Sequence, residues 1–285
     1  MPEFDVNGAR ISEVNGVIWA SMSHGGFGYY NRAADRMEYF HNNPDNPWDL
    51  SNTVAAYLTL PEGVVWESTS KRGLEKLDIL KKKIIRKRPF GEDRDSTSSS
   101  RAETQSLISR YNEIRALYYD RERKLLLVGN KLGTLKIISS TGQAQTLTGT
   151  TDGKSFGRIY SIHKDSKGRY WLCTKGNGLF MMVPQAGGGY SFRQFEHIEG
   201  NKNTLNSNNV YDMVEDKQGN MWIATYGDGV NLLIEDKNGT FRFLNKDNGI
   251  NTYPHNAYHK VRTVCTDTLG NVWAGTTDGI LLMKY

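Results

Sequence analysis

One phrase recurs along this chain and constrains its fold more than any other feature. It reads DSKGRYWLCTKGNGLFMM from Asp165, DKQGNMWIATYGDGVNLL from Asp216 and DTLGNVWAGTTDGILLM from Asp267. In each copy an Asp is followed after two residues by a Gly (Gly168, Gly219, Gly270) and after two more by a Trp (Trp171, Trp222, Trp273). A second Gly comes later, at Gly178, Gly229 and Gly279. Fainter copies keep the register: Glu13, Gly16, Trp19 and Gly26; Gly63, Trp66 and Gly73; and Asp120, Leu126 and Gly133, with Leu in place of Trp. The anchors at 19, 66, 126, 171, 222 and 273 mark six units spaced 45 to 60 residues apart, and five of the six Trp residues stand at this one position. Units of about 40 to 50 residues that recur in register belong to arrays in which each unit buries its apolar surface against its neighbours.

The phrase has a mechanical reading. In VYDMVEDKQGNMWIAT, Val210, Met213 and Val214 precede an Asp-to-Gly turn, and Met221, Trp222 and Ile223 follow it, which is two short strands joined by a tight hairpin. The Asp can bond the turn amides and the Gly can take a positive φ. The later Gly opens a third strand, and an aromatic fourth follows (Phe241 and Phe243; Phe192 and Phe195; Tyr39 and Phe40). A Trp once per unit suits the wedge between neighbouring sheets of a radial array, so the repeated Trp, Asp and Gly are scaffold residues. The fold expected is an all-β propeller of about six four-stranded blades, or an arc of a larger one. It forms a single domain over 1–285, with repeats at 7–52, 53–110, 111–155, 156–206, 207–257 and 258–285 and a basic, Ser-rich insertion around 81–106. The last copy stops at Leu281, Leu282 and Met283 without a fourth strand, which the stretch Glu3 to Val6 could supply.

Composition closes off several alternatives. With 285 residues, 38% hydrophobic and 24% charged, the chain has the balance of a folded domain with a sizeable core. The net charge of +5 is local: residues 71 to 115 hold 13 Lys/Arg against 7 Asp/Glu, and the remainder carries 23 basic against 24 acidic side chains. The basic run KKKIIRKRPF lacks a row of stacking aromatics, so a solvated strand edge is expected rather than a nucleic-acid surface. Cys173 and Cys265 stand in no metal or redox spacing and are expected to be buried free thiols. No apolar run approaches a membrane span, and the first twenty residues have neither a basic start nor a hydrophobic stretch. The chain is expected to lack a signal peptide and to be cytosolic or cut from a longer protein.

The unit resembles the two-component regulator propeller repeat, whose blades carry a Leu-Ser-x-Asn-x-Val-like entry before the D-x-x-G-N-x-W-I-G-T phrase. Leu50, Ser51, Asn52 and Val54 follow that entry in one copy, and Leu205, Ser207, Asn209 and Val210 in another. The resemblance covers most of the chain and is strongest from about 156 onward. It implies the extracytoplasmic sensor half of hybrid two-component histidine kinases, hence a periplasmic location, homodimerisation in the intact protein, and signalling through membrane and kinase segments that this chain does not contain. A sialidase-type Asp box, with one residue between Asp and Gly, does not fit the two seen here.

Candidate binding residues follow from the register. Five residues before the anchor Asp, on the strand expected to line a central channel, stand Arg115, Tyr160, Tyr211 and Arg262, flanked by apolar Ile114, Ile159, Val210 and Val261. A large polar residue recurring there projects towards the channel mouth, or else bonds a neighbouring blade. The loops entering that strand are long and polar: 41 to 52 (Trp48, Asn52), 196 to 209 (Asn209) and 245 to 260 (Tyr253, His255, His259). Amides and aromatic rings together suit the hydroxyls and apolar faces of sugars, although Asn-rich turns also arise from Asn's tolerance of unusual φ. No catalytic motif is present, the six His residues form no metal-ligand pattern, and no metal or cofactor is expected. The expected function is a non-enzymatic sensing module for a glycan-derived oligosaccharide. A protein-interaction scaffold is the alternative, and a six-bladed lactonase or lyase a more distant one.

Overall fold

The structure, a computed structural model, describes residues 10–14, 16–22, 26–40, 54–60, 64–69, 73–78, 83–86, 114–254 and 256–283. They fall into two compact units, one within Met1–Asn130 and Lys136–Gln145, the other within Lys131–Leu135 and Thr146–Tyr285.

The first unit is built on three antiparallel sheets. One comprises β1 (Arg10–Val14), β2 (Val17–Met22), β3 (Gly26–Asn31) and β4 (Arg36–Phe40). The second comprises β5 (Val54–Leu60), β6 (Val64–Thr69), β7 (Gly73–Asp78) and β8 (Lys83–Arg86). The third comprises β9 (Ile114–Asp120), β10 (Leu125–Asn130), β11 (Leu135–Ser139) and β12 (Ala144–Leu147). Each is a simple meander, and β8, from the basic run, is the outer edge strand of its sheet. Trp19 is buried against Tyr29, with ring centroids 5.3 Å apart. In the third sheet Leu126 takes the anchor position and is fully buried beside Leu127.

The second unit holds β13 (Arg158–Lys164), β14 (Tyr170–Lys175), β15 (Leu179–Pro184) and β16 (Tyr190–Phe195) in one sheet, and β17 (Val210–Glu215), β18 (Met221–Thr225), β19 (Gly229–Glu235) and β20 (Phe241–Leu244) in the next. A final sheet has β21 (Val261–Thr266), β22 (Val272–Thr276) and β23 (Gly279–Met283). The expectation of about six four-stranded blades is thus corrected: five sheets have four strands and the sixth has three, because no described strand pairs with the outer edge of β23. The stretch Glu3 to Val6, offered as that strand, lies outside the described residues.

The core of this unit lies between sheets. Trp171, Cys173, Leu179 and Phe195 of one sheet pack on Val210, Met213, Met221, Ile223 and Phe243 of the next. Trp222, Ala224 and Val230 from the far face of that second sheet pack on Val261, Val264, Val272 and Ala274 of the last. Strand alternation makes this possible, since Met221 and Ile223 face one way and Trp222 and Ala224 the other. Trp171 and Trp222 therefore each point to the following sheet. Trp171 and Trp222 are covered there, and burying such a ring contributes about 4–6 kcal/mol. Trp273, on the forward face of the last sheet, is partly exposed. Cys265 pairs with Trp273 in register and shares that face, so it is exposed, unlike the buried Cys173. The expectation of two buried thiols holds for one only.

The repeated Asp closes the hairpin between the first and second strands and also holds the Trp. Asp165 Oδ1 accepts from the amides of Lys167 (3.0 Å) and Arg169 (2.9 Å), while Oδ2 accepts from Trp171 Nε1 (2.8 Å). Asp216 bonds Trp222 at 2.9 Å, and Asp267 bonds Trp273 at 3.0 Å. The six-residue spacing is the distance at which one carboxylate reaches both its own turn and the indole. At the other end of the second strand, the hydroxyls of Thr174 and Thr225 donate to the carbonyls of Gly178 and Gly229, both at 2.7 Å.

Candidate functional site

The first strands β13, β17 and β21 of the second unit pack beside one another. Each carries a register shift at the same place: between Ile159 and Ser161, between Val210 and Asp212, and between Val261 and Thr263. The extra residue is Tyr160, Tyr211 or Arg262. In the first unit the same irregularity falls between Val54 and Ala56 on β5 and at Arg115 on β9. A bulge leaves one residue out of the ladder and re-aims its side chain. The position singled out by counting back from the anchor Asp is therefore the bulged position of the blade.

In the second unit the bulges bring their side chains together. The rings of Tyr160 and Tyr211 lie 4.5 Å apart, and Tyr211 stacks on Tyr226 at 5.1 Å and 23°. The Arg262 guanidinium sits 5.1 Å from the Tyr226 ring centre and 5.9 Å from that of Tyr211, and Lys260 Nζ is 5.6 Å from Tyr226. The three tyrosines are half-buried, and Lys260 and Arg262 are exposed. Burial, with the adjacent Tyr160, pushes the Tyr211 hydroxyl up to about 12 despite Arg262, so it remains a proton donor at neutral pH. The row thus offers aromatic surface, phenolic donors and two cations.

Tyr226 and Lys260 were missed by sequence reasoning. Tyr226 is the first residue beyond β18, four after its Trp, where the other copies have Lys175 and Thr277; Lys260 immediately precedes β21. An isolated bridge joins Tyr226 to Lys260, and a matching one joins Lys175 to Asn209. That pairing was the available signal, because it sets the residue after the second strand beside the entry to the next sheet.

One end of the first strands is thus polar and open; further along, the same strands are tied together. Asp212 Oδ1 meets His163 Nε2 at 2.9 Å, and Oδ2 accepts from Thr263 Oγ1 at 2.7 Å and from the Val264 amide at 3.2 Å. Burial alone would raise the Asp212 pKa, but these partners hold the carboxyl below its ordinary range. Ser161, His163 and Asp212 have the residue types of a hydrolase triad but not the geometry. Ser161 Oγ, at 3.1 Å, meets the same Nε2 that faces Asp212, whereas a triad uses both ring nitrogens. Among the described residues no group of three or more His, Cys, Asp or Glu side chains could hold a metal ion.

The rim candidates fare differently. Trp48, Asn52 and His255 lie outside the described residues. Tyr253, expected on the rim, is buried: its ring packs beneath Gly229, where an added Cβ would sit 2.6 Å from it, and its hydroxyl donates to the Tyr258 carbonyl at 2.6 Å. It is a core residue. His259 and Asn209 act through their backbones. The His259 carbonyl accepts from the amides of Gly227 (3.0 Å) and Gly229 (2.9 Å), and the Asn209 carbonyl from Tyr226 (2.8 Å). The His259 bonds latch its entry loop to the preceding sheet, whereas the Asn209 bond extends the ladder of its own sheet. The 196 to 209 loop also walls a cleft of about 330 Å³ with Asp228, Asn245 and Asp247. Its lining is partly engaged internally, as Asn206 donates to the Asp228 carbonyl at 2.6 Å and His197 bonds the Leu205 carbonyl at 2.7 Å.

Comparison with known proteins bears on this geometry. No curated protein sequence matches the chain. The extracellular domain assigned to the hybrid two component system BT3049 from B. thetaiotaomicron superposes with a TM-score of 0.68 at 21% identity, covering 97% of this chain and 33% of that one. PorZ, a bacterial surface component of the type-IX secretion system of Porphyromonas gingivalis, also gives 0.68, at 16% identity, with 98% and 38% covered. The Cps50 (Swd1) β-propeller domain of Myceliophteria thermophila gives 0.61 at 11% identity, with 97% and 83% covered. The chain spans about a third of the length of the first two. These likenesses show the fold, an all-β propeller with four-stranded blades. Two component regulator propeller repeats match at residues 153–176 and 204–227, each running from an entry segment through the Asp-Gly-Trp phrase. In these two segments the chain carries repeats of the two-component regulator propeller family.

Proposed function

We propose that this chain is a ligand-sensing, non-catalytic propeller module from the extracytoplasmic half of a two-component sensor, and that it recognises a glycan-derived oligosaccharide at the bulged ends of its first strands. The observation that carries this reading is the convergence of Tyr160, Tyr211 and Arg262, on three adjacent strands, with Tyr226 and Lys260 beside them. Half-buried aromatic surface beside directed donors is the chemistry that binds sugars. The extracytoplasmic location is supported by the likeness to extracellular domains of two-component systems. Binding passes its signal by shifting how propellers pack in a dimer that includes membrane and kinase segments beyond this chain. The site sits where such a shift would be felt, since Asp212 beside Tyr211 also bonds β13 and β21.

A thermal-shift screen against defined oligosaccharides tests this. A ligand at about 100 times its Kd stabilises the fold by about 2.7 kcal/mol. The shift should vanish in Tyr211→Ala, with the folded state checked by circular dichroism. A flat response from a folded chain would refute the sugar-sensor reading and favour an interaction scaffold.

A further inference from the structure

The open end of the first strands carries an unneutralised positive charge. Arg158 begins β13 and pairs in register with Lys175 at the end of β14, while Lys260 precedes β21 and Arg262 is its bulged residue. None of the four forms an ion pair with a described residue. The carboxylate beside them on β17, Asp212, has both oxygens engaged by His163, Thr263 and the Val264 amide. Elsewhere in the same unit some basic side chains do find acids: Arg169 meets both Asp165 and Glu235, Lys167 meets Glu235, and Lys246 lies near Asp228 and Asp247. Among the described residues, this end of the strands thus gathers four basic side chains with no carboxylate paired to them. Two of the four, Lys260 and Arg262, rest on aromatic faces. A guanidinium held against a ring keeps its N–H edge directed outward, which is the arrangement that grips a planar or tetrahedral oxyanion through two hydrogen bonds.

We infer that the ligand of this row is an acidic oligosaccharide, whose carboxylate or sulfate is held by Arg262 and Lys260 while its sugar rings and hydroxyls meet Tyr160, Tyr211 and Tyr226. This inference rests on the sugar-sensing reading and narrows it to one charge class. The row repels itself when empty, and an anionic ligand relieves that repulsion, whereas a neutral sugar leaves it in place. Binding is accordingly weakened by salt.

The test is isothermal titration of the intact 285-residue chain with three probes: an oligogalacturonide, its methyl ester, and a sulfated chondroitin disaccharide. The inference expects a carboxylate or a sulfate probe, or both, to bind at least about tenfold more tightly than the ester. It also expects affinity to fall as salt rises from about 0.05 to about 0.5 M. Because the chondroitin probe carries a uronate as well as a sulfate, binding of the galacturonide marks a uronate site, and binding of the chondroitin probe alone marks a sulfate site. Arg262→Gln and Lys260→Gln should each weaken binding by roughly tenfold or more, while the distant, exposed Lys237→Gln leaves it unchanged. Both site positions are exposed, so the variants should keep the parent's circular dichroism and thermal midpoint. Equal binding of ester and acid, unaffected by Arg262→Gln, would overturn the charge assignment and leave the sugar sensor standing. Acid binding that survives both substitutions would overturn the location. No binding of any probe to the folded chain would overturn the acidic-ligand inference, and a flat response across the neutral panel as well would remove the sensor reading.

Discussion

Removing the repeated Asp should cost the fold an amount that depends on what covers its Trp. In Asp165→Ala the turn amides of Lys167 and Arg169 lose their acceptor, as do Arg169 Nε at 2.6 Å and Trp171 Nε1 at 2.8 Å. The amides can turn to water, and Arg169 keeps Glu235 at 2.8 Å. The Trp171 indole cannot, because the ring is fully buried between sheets. An unsatisfied buried donor costs about 1–3 kcal/mol, and each lost turn bond about 0.5–1.5 kcal/mol, which places Asp165→Ala at about 3–5 kcal/mol. Asp267→Ala removes the same kinds of bond, but Trp273 is only partly buried, so its freed N–H can turn to water and the loss should be clearly smaller. Asp165→Asn should also destabilise, since a single amide oxygen cannot serve both the turn and the indole. Equilibrium urea unfolding followed by tryptophan fluorescence and circular dichroism reads these differences as midpoint shifts at constant slope. Equal shifts for the Asp165 and Asp267 variants would refute the argument, because they would mean that the Asp acts through its turn alone.

Gly229→Ala should destabilise by about 2–4 kcal/mol in the same assay, since φ is +89° and the new Cβ would meet the Tyr253 ring at 2.6 Å, whereas Gly219→Ala, at φ +83° with only an ordinary contact to Glu215 at 3.8 Å, should cost about 1–2 kcal/mol. Asp212, with its pKa held down in the folded state, contributes stability that is complete above the unfolded carboxylate range near pH 4 and is lost as pH falls through the folded value. Below about pH 4 the urea midpoint of the parent should therefore fall more steeply than that of Asp212→Asn. Under native conditions a maleimide should label Cys265 slowly and leave Cys173 untouched, because burial raises both thiols and only Cys265 is exposed; mass spectrometry would locate the adduct, and labelling of Cys173 without denaturant would contradict the packing.

Much of the local structure was legible because it obeys local rules. The Asp-x-x-Gly turn, the Trp and the second Gly are fixed by bonds within one hairpin, so their spacing survives in the sequence as a pattern. Even the indole bond was implicit in the constant six-residue step from Asp to Trp. Counting back from that Asp also found Tyr160, Tyr211 and Arg262, because the bulge recurs at the same distance in each copy. Reading the polar loops failed for Tyr253. An Asn- and Gly-rich context resembles an exposed rim, but its neighbour Gly229 leaves a space that the ring fills.

The sequence by itself determined the β class, the unit length, the turn chemistry and the candidate position on the first strand, since each depends on residues close together along the chain. Only the tertiary structure decided which of those candidates come together. Tyr226 and Lys260 join the row, and His163, Asp212 and Thr263 tie it together, through contacts between residues as much as 52 positions apart. A bond that crosses from one sheet to the next leaves no period in a single chain. The same holds for the exposure of Trp273 and Cys265, which share their spacing or residue type with buried counterparts and differ only in what packs against them.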